Sequence, residues 1–277
     1  MKKNVKELIT GGILSIGGLV FSITGFIGYE PTEKINGEDP YFPFILWGIF
    51  ALLIGLVVLC NGIFHTKKKE EIVDYSSSEQ VKRLAQAALF AALSYIMFTY
   101  FKIDINLPGG STAFHLGNTF VVLASLLLGG SLGGISGAIG LTLADLTTIY
   151  VTSAPKTFFL KLCIGLITGF VAHRLFHITK ITDKKKLTIA TTVSASAGLL
   201  FNVIADPLVG YFYKMYLFGI PQDASAALAK IATVTTAVNA LLSLLCAVLL
   251  YLALRPVLVK SGLYVRLEKA NTPTLKI

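Results

Sequence analysis

The chain has 277 residues, 54% of them hydrophobic and only 14% charged, with a formal net charge of +9. Apolar runs in such a composition have to face lipid rather than one water-soluble core. The basic excess is confined to one set of loops, which excludes a nucleic-acid footprint.

Eight apolar runs approach the roughly 20 residues needed to cross about 30 Å of hydrocarbon. They are Leu8 to Tyr29, Pro43 to Phe64, Val81 to Phe101, Phe114 to Leu128, Leu132 to Val151, Thr157 to His177, Leu187 to Tyr213 and Ala226 to Leu254. Lysines and arginines gather before the first run, between the second and third, after the sixth and after the eighth. The other loops carry only Lys34, Lys102, Lys156, Lys214 and Lys230, and the first of them is acidic. By the positive-inside rule both termini lie in the cytoplasm and the number of spans is even.

The first run has lysines ahead of it like a secretory signal, yet it is long and lacks a small-x-small cleavage site, so it reads as a membrane helix. Residues 1–64 then form a transmembrane hairpin without buried charge, and its glycines Gly11, Gly17, Gly18 and Gly25 permit close helix contact. Residues 65–80 form a polar cytoplasmic linker, rich in Lys, Glu and Ser. Residues 81–256 form a membrane domain of six helices, and residues 257–277 a cytoplasmic tail. Cys60, Cys163 and Cys246 each stand alone in an apolar run, with neither metal spacing nor a disulfide framework.

The domain opens on an alanine-rich helix in which Ala87 and Ala91, and Ala88 and Ala92, repeat a small-x-x-x-small spacing. Such pairs let another helix approach where lipid supplies no hydrophobic drive, and packing within the chain is the plain reading. The glycine run from Gly129 to Gly140 lacks the Gly-Lys-Ser/Thr ending of a phosphate loop. It reads as a tight turn followed by a glycine-faced helix, in which Gly133 and Gly137 allow close approach. The chain therefore carries no ATPase of its own.

Away from the first and last few residues of each run, and with Lys230 counted among the loop charges, the charges within the apolar runs are few: Lys161, Asp145 and Asp206. A charge at bilayer depth is costly, so such residues face a protected interior and mark a ligand or ion path. His115 falls at the start of its helix, with Asn118 one turn further along the same face. Asp206 extends a four-residue stripe with Gly198 and Asn202, and Pro207 predicts a kink that frees carbonyls beside the carboxylate. Thr235, Asn239 and Ser243 form a second stripe. Five successive helices thus offer polar groups to one outward volume. For Asp145 and Lys161, a structural ion pair and direct ligand contact both fit the pattern. Asn202 and Asn239 fit interhelical hydrogen bonding as well as specificity.

The domain as a whole resembles the substrate-binding S component of energy-coupling factor (ECF) vitamin transporters. The resemblance rests on the alanine-rich first helix, on His115-Leu116-Gly117-Asn118 with an apolar helix ending Leu-Leu-Leu-Gly-Gly, and on the glycine helix closing at Leu143-Ala144-Asp145. It continues through Ala154-Pro155-Lys156-Thr157-Phe158 to Lys161 and Gly165, and covers Val81 to Arg255. The N-terminal hairpin departs from the six-helix plan. The expected fold is an all-α polytopic membrane protein, a six-helix S-component-like bundle preceded by a two-helix transmembrane hairpin.

What the resemblance implies is a non-enzymatic subunit in a bacterial cytoplasmic membrane. It would capture a water-soluble vitamin or precursor at the outer face, for ATP-driven uptake by a transmembrane coupling subunit and two ATPases. The motif set is most like S components for pyridine or pyrimidine compounds. The implied substrate-binding residues are His115, Asn118, Asp145, Lys161, Asn202, Asp206 and Asn239; the implied docking surface is Ala87, Ala88, Ala91 and Ala92. The loop from Lys102 to Ala113 would close over the ligand. No cofactor or metal is implied. A stand-alone carrier coupled to protons or cations through Asp145 and Asp206 is the rival reading. An intramembrane enzyme lacks any Gly-x-Gly-Asp, His-Glu-x-x-His or Gly-x-Ser-x-Gly element, and a purely structural subunit leaves the buried charges without a purpose.

Overall fold

The computed structural model describes residues 9–18, 20, 75–264 and 267. Contacts divide the chain into two units, Met1–Ile72 and Val73–Ile277. Of the first, only the short apolar helix Ile9–Gly18 and Val20 are described. The second expected span and most of the linker lie outside the described residues.

Helix α1 (Ser77–Thr99) begins four residues earlier than the apolar pattern predicts, inside the expected linker. Ser76 and Glu79 explain the difference. Ser76 Oγ accepts from the Glu79 amide at 3.3 Å, and the Ser76 amide donates to Glu79 Oε2 at 3.0 Å, so two unpaired donors of the first turn are satisfied reciprocally.

Between α1 and the next helix the expected loop is a β-hairpin, β1 (Lys102–Leu107) paired antiparallel with β2 (Gly110–His115) in the register Lys102 opposite His115. Alternation of apolar and polar residues along Lys-Ile-Asp-Ile-Asn-Leu suits a strand, and the two-residue turn closes at Gly109, whose φ is +83°. His115 is consequently the last residue of β2 rather than the first of a helix. The pairing corrects its expected helical spacing to Asn118.

Helices α2 (Gly117–Leu128) and α3 (Gly130–Leu146) are joined through Gly129 alone, at φ +88°, a backbone state that a Cβ disfavours. A short 3-10 turn, Val151–Ser153, leads into α4 (Ala154–Gly169), which ends in a π-helical turn, Phe170–Leu175. Helices α5 (Lys184–Leu217) and α6 (Gln222–Lys260) complete the unit. Helix α5 is continuous, with Pro207 inside it.

Among the described residues, four helical stretches are long and apolar enough to cross a membrane: α1, Val151–Leu175, α5 and α6. Their outward stripes are apolar. Leu200, Ile204 and Leu208 on α5, and Leu241, Leu245 and Leu249 on α6, recur at four-residue spacing and are all more than half exposed. A soluble protein buries such stripes, whereas lipid accepts them. Helix α2 is only 12 residues long but almost entirely buried, and forms the centre of the bundle.

Glycines set how closely the helices approach. A Cβ on Gly165 of α4 would overlap the backbone of Gly134 on α3, and one on Gly133 would overlap Ala124 and Ser125 of α2. On α1, Ala87 is buried and its carbonyl accepts from Ser136 Oγ, while the Ala91 carbonyl faces Gly140. Ala88 and Ala92 are exposed. The two alanine pairs therefore separate into a packed pair and a free pair.

Candidate functional site

At the hairpin end of the bundle the helices part around a cavity of about 80 Å³. β2 brings His115 to it, α2 brings Asn118 and α3 brings Asp145. From α4, α5 and α6 come Lys161, Asn202 and Asp206, and Asn239. All seven residues singled out in the sequence line this one space.

Their partners differ from those the sequence suggests. No ion pair joins Asp145 to Lys161 among the described residues. Asp206 is bound instead to Lys156, whose Nζ lies 2.8 Å from Oδ1, and Thr236 Oγ1 donates to its Oδ2 at 3.1 Å. Lys156, counted among the loop charges, sits in the first turn of α4. A signal for it existed: two buried aspartates against one buried lysine leave a carboxylate unbalanced, and Lys156 is the next lysine along the chain. Thr236, Thr157, Phe98 and Tyr150 also line the cavity without having been singled out.

Asn239 serves the framework. Its Oδ1 accepts from the His115 amide and its Nδ2 donates to the Ala113 carbonyl, both at 2.9 Å, so it ties β2 to α6 as one more strand would. Thr112 and Thr235 add a hydroxyl contact at 2.9 Å on the same seam. Nδ1 of His115 accepts from the Gly117 amide at 3.1 Å, and the ring packs edge-on against Phe98 with centroids 4.6 Å apart. That acceptor role leaves Nε2 as the ring's protonated nitrogen.

Asn118, Asp145 and Lys161 are different. Asp145 is 3% exposed and its Oδ2 has no hydrogen-bond partner. Asn118 Oδ1, on a side chain 1% exposed, has none either. Lys161 is 7% exposed, and its ammonium has one long contact, 3.4 Å to Asn202 Oδ1. Buried polar atoms in native proteins are nearly always paired, so an unpaired set around one space points to a ligand that completes it.

The hairpin is fastened across this cavity. Tyr150 donates to Asp104 Oδ1 at 2.8 Å and lies 2.9 Å from the Thr112 carbonyl, while Lys102 Nζ pairs with Asp104 at 2.8 Å. Burial raises the Asp104 pKa, but the bonds from Lys102 and Tyr150 outweigh it and hold the carboxyl below its ordinary value.

A sequence model of the family described as the ECF-type riboflavin transporter S component matches residues 78–256. The chain belongs to that family. No curated protein and no solved structure shows a significant match to it. This S component is thus a membrane protein of a substrate-binding transporter family and not an enzyme, and the enzyme reading falls away. The match covers the hairpin and all six helices that surround the cavity. Among the described residues no cluster of His, Cys, Asp or Glu could hold a metal ion.

Proposed function

We propose that this S component captures a small planar heteroaromatic compound with polar substituents, a pyridine or pyrimidine compound of the vitamin class. The cavity then lies at the outer face of a bacterial cytoplasmic membrane, both termini are cytoplasmic, and residues 1–64 are an accessory hairpin attached to the binding domain. The observation that carries the reading is the set of unpaired polar groups around one space: a carboxylate oxygen, an amide oxygen and a weakly bound ammonium. Donor and acceptor groups on opposite walls suit a ring with heteroatoms and hydroxyl substituents, and Phe98, Tyr150 and His115 offer aromatic edges to it.

Riboflavin is the second reading, favoured by the description of the matching family. Delivery into the cell requires a transmembrane coupling subunit and two ATPases, and the exposed Ala88 and Ala92 offer the close-packing surface for the coupling subunit. Ala87 and Ala91 support that surface from behind through α3.

Calorimetric titration of the detergent-purified chain with pyridoxine, hydroxymethylpyrimidine and riboflavin tests this reading. One single-ring compound is expected to bind at one site, and Asp145→Asn to weaken it about tenfold, the loss of one charged hydrogen bond. Binding of riboflavin alone would move the assignment to the second reading, and binding of none would overturn both.

A further inference from the structure

A second cavity, of about 230 Å³, adjoins the first on the side of the hairpin turn. The two share Ser111, Tyr150, Ser153 and Lys156 as a common wall. Its own lining comes from the hairpin turn, the last turn of α5 and the connection to α6. Its electrostatics are one-sided. Lys156 and Lys214 both line it, and among the described residues none of the side chains lining it is acidic.

The two lysines are not equivalent. Lys156 is neutralised by Asp206 at 2.8 Å, on the inner side of the shared wall. Lys214 has neither an ion-pair nor a hydrogen-bond partner for its ammonium among the described residues. It is nevertheless half-buried and held in place: a Cβ on Gly110 would come within 3.1 Å of its Cε, so the stem lies against the bare backbone of the hairpin turn. On the far side Tyr213 donates to the Thr152 carbonyl at 2.8 Å, which fixes the α5 terminus against the turn before α4. A cation placed in a partly enclosed space with hydroxyl groups nearby and no directly paired carboxylate attracts an anion of matching size.

We propose that this outer cavity is a subsite for an anionic substituent, a phosphate or carboxylate, carried by the same ligand whose ring occupies the inner cavity, with Lys214 as its principal cation. The inference rests on the proposed capture of a small heteroaromatic compound and narrows its class to one with an acidic arm. The arm leaves the ring past Ser111 and Ser153, which line both spaces. Lys156 marks the junction, with its charge shared between Asp206 and the incoming anion.

Paired probes test it: pyridoxine against pyridoxine phosphate, and riboflavin against flavin mononucleotide, titrated into the full chain in detergent and in nanodiscs of phosphatidylcholine or phosphatidylglycerol. The phosphorylated member of at least one pair is expected to bind about tenfold tighter, as one charge-assisted hydrogen bond allows. Lys214→Met should remove that ratio, and Lys214→Arg should keep it. Binding of a neutral compound with no gain from its phosphate would overturn this inference alone. Binding of none of the four would overturn both it and the proposed function. If anionic lipid rather than the ligand is the partner of Lys214, phosphatidylglycerol will abolish the ratio and Lys214→Met will reduce lipid retention, which also overturns the proposal.

Discussion

The two ends of α3 obey opposite rules. From Gly130 to Gly140 the helix is bare on the faces that meet α1, α2 and α4: Gly130, Gly133 and Gly140 lie against backbone, and Gly137 makes room for the Val121 side chain. From Leu141 to Asp145 side chains reappear, and the helices open around a polar space in which a carboxylate oxygen has no partner. In lipid, where apolar burial does not drive helices together, van der Waals contact between small residues has to hold the bundle. The glycine end supplies that contact, while the hairpin end leaves polar groups unsatisfied.

Breaking the glycine end should have the largest effect. Gly165→Val places a side chain on the Gly134 backbone, which cannot rotate aside. The expected cost is at least about 3 kcal/mol, the upper end for overpacking. It would appear as loss of monodisperse protein in detergent and a much lower melting temperature.

At the other end, Asp206→Asn should cost roughly 2 kcal/mol, less than for a fully buried pair because both partners keep some access to water. Adding Lys156→Met should recover much of that loss, and a thermal double-mutant cycle measures the coupling.

The alanine helix sharpens the contrast on a smaller scale. Ala87→Leu should destabilise the fold by about 1–2 kcal/mol, because that position is packed against Ser136. Ala88→Leu with Ala92→Leu should leave stability within about 0.5 kcal/mol and ligand binding intact, but lower uptake when the coupling subunit and ATPases are present. Melting curves and transport assays on the same variants separate the two faces.

Smallest of all is the latch on the hairpin. Asp104→Asn should cost less than about 1 kcal/mol, as for other partly exposed pairs, and should speed ligand release. In the wild type the same contact has a definite sign with pH. The folded-state pKa of Asp104 is depressed, so its contribution is complete above the ordinary carboxylate range and is lost as pH falls through the lower folded value. The rise in release rate on acidification should therefore be smaller in Asp104→Asn than in the wild type, because the carboxylates that line the cavity, Asp145 and Asp206, titrate in both.

Much of this contrast is legible in the residues themselves. The positions of α1 to α6 follow from apolar runs bounded by loop charges, and the cavity follows from the rarity of polar groups at depth: each of the seven is costly in lipid, so each has to face inward. Two features escaped that logic. The β-hairpin is short, and its alternating residues lie outside the apolar runs, so it reads as a connection; His115 changed its setting with it. Partner choice is also invisible at this level. Asp145 and Lys161 lie at similar depth, but depth does not fix the angular position around each helix, and the pair that forms is Asp206 with Lys156.

The most direct test of the central claim is native mass spectrometry of the gently purified chain, comparing the wild type with Asp145→Asn and with Lys161→Met. One small molecule should be bound per wild-type chain and released intact on activation, with little or none on either variant. A wild-type chain that carries nothing even after growth and purification with vitamins present, or variants that hold the molecule as firmly as the wild type, would contradict that claim.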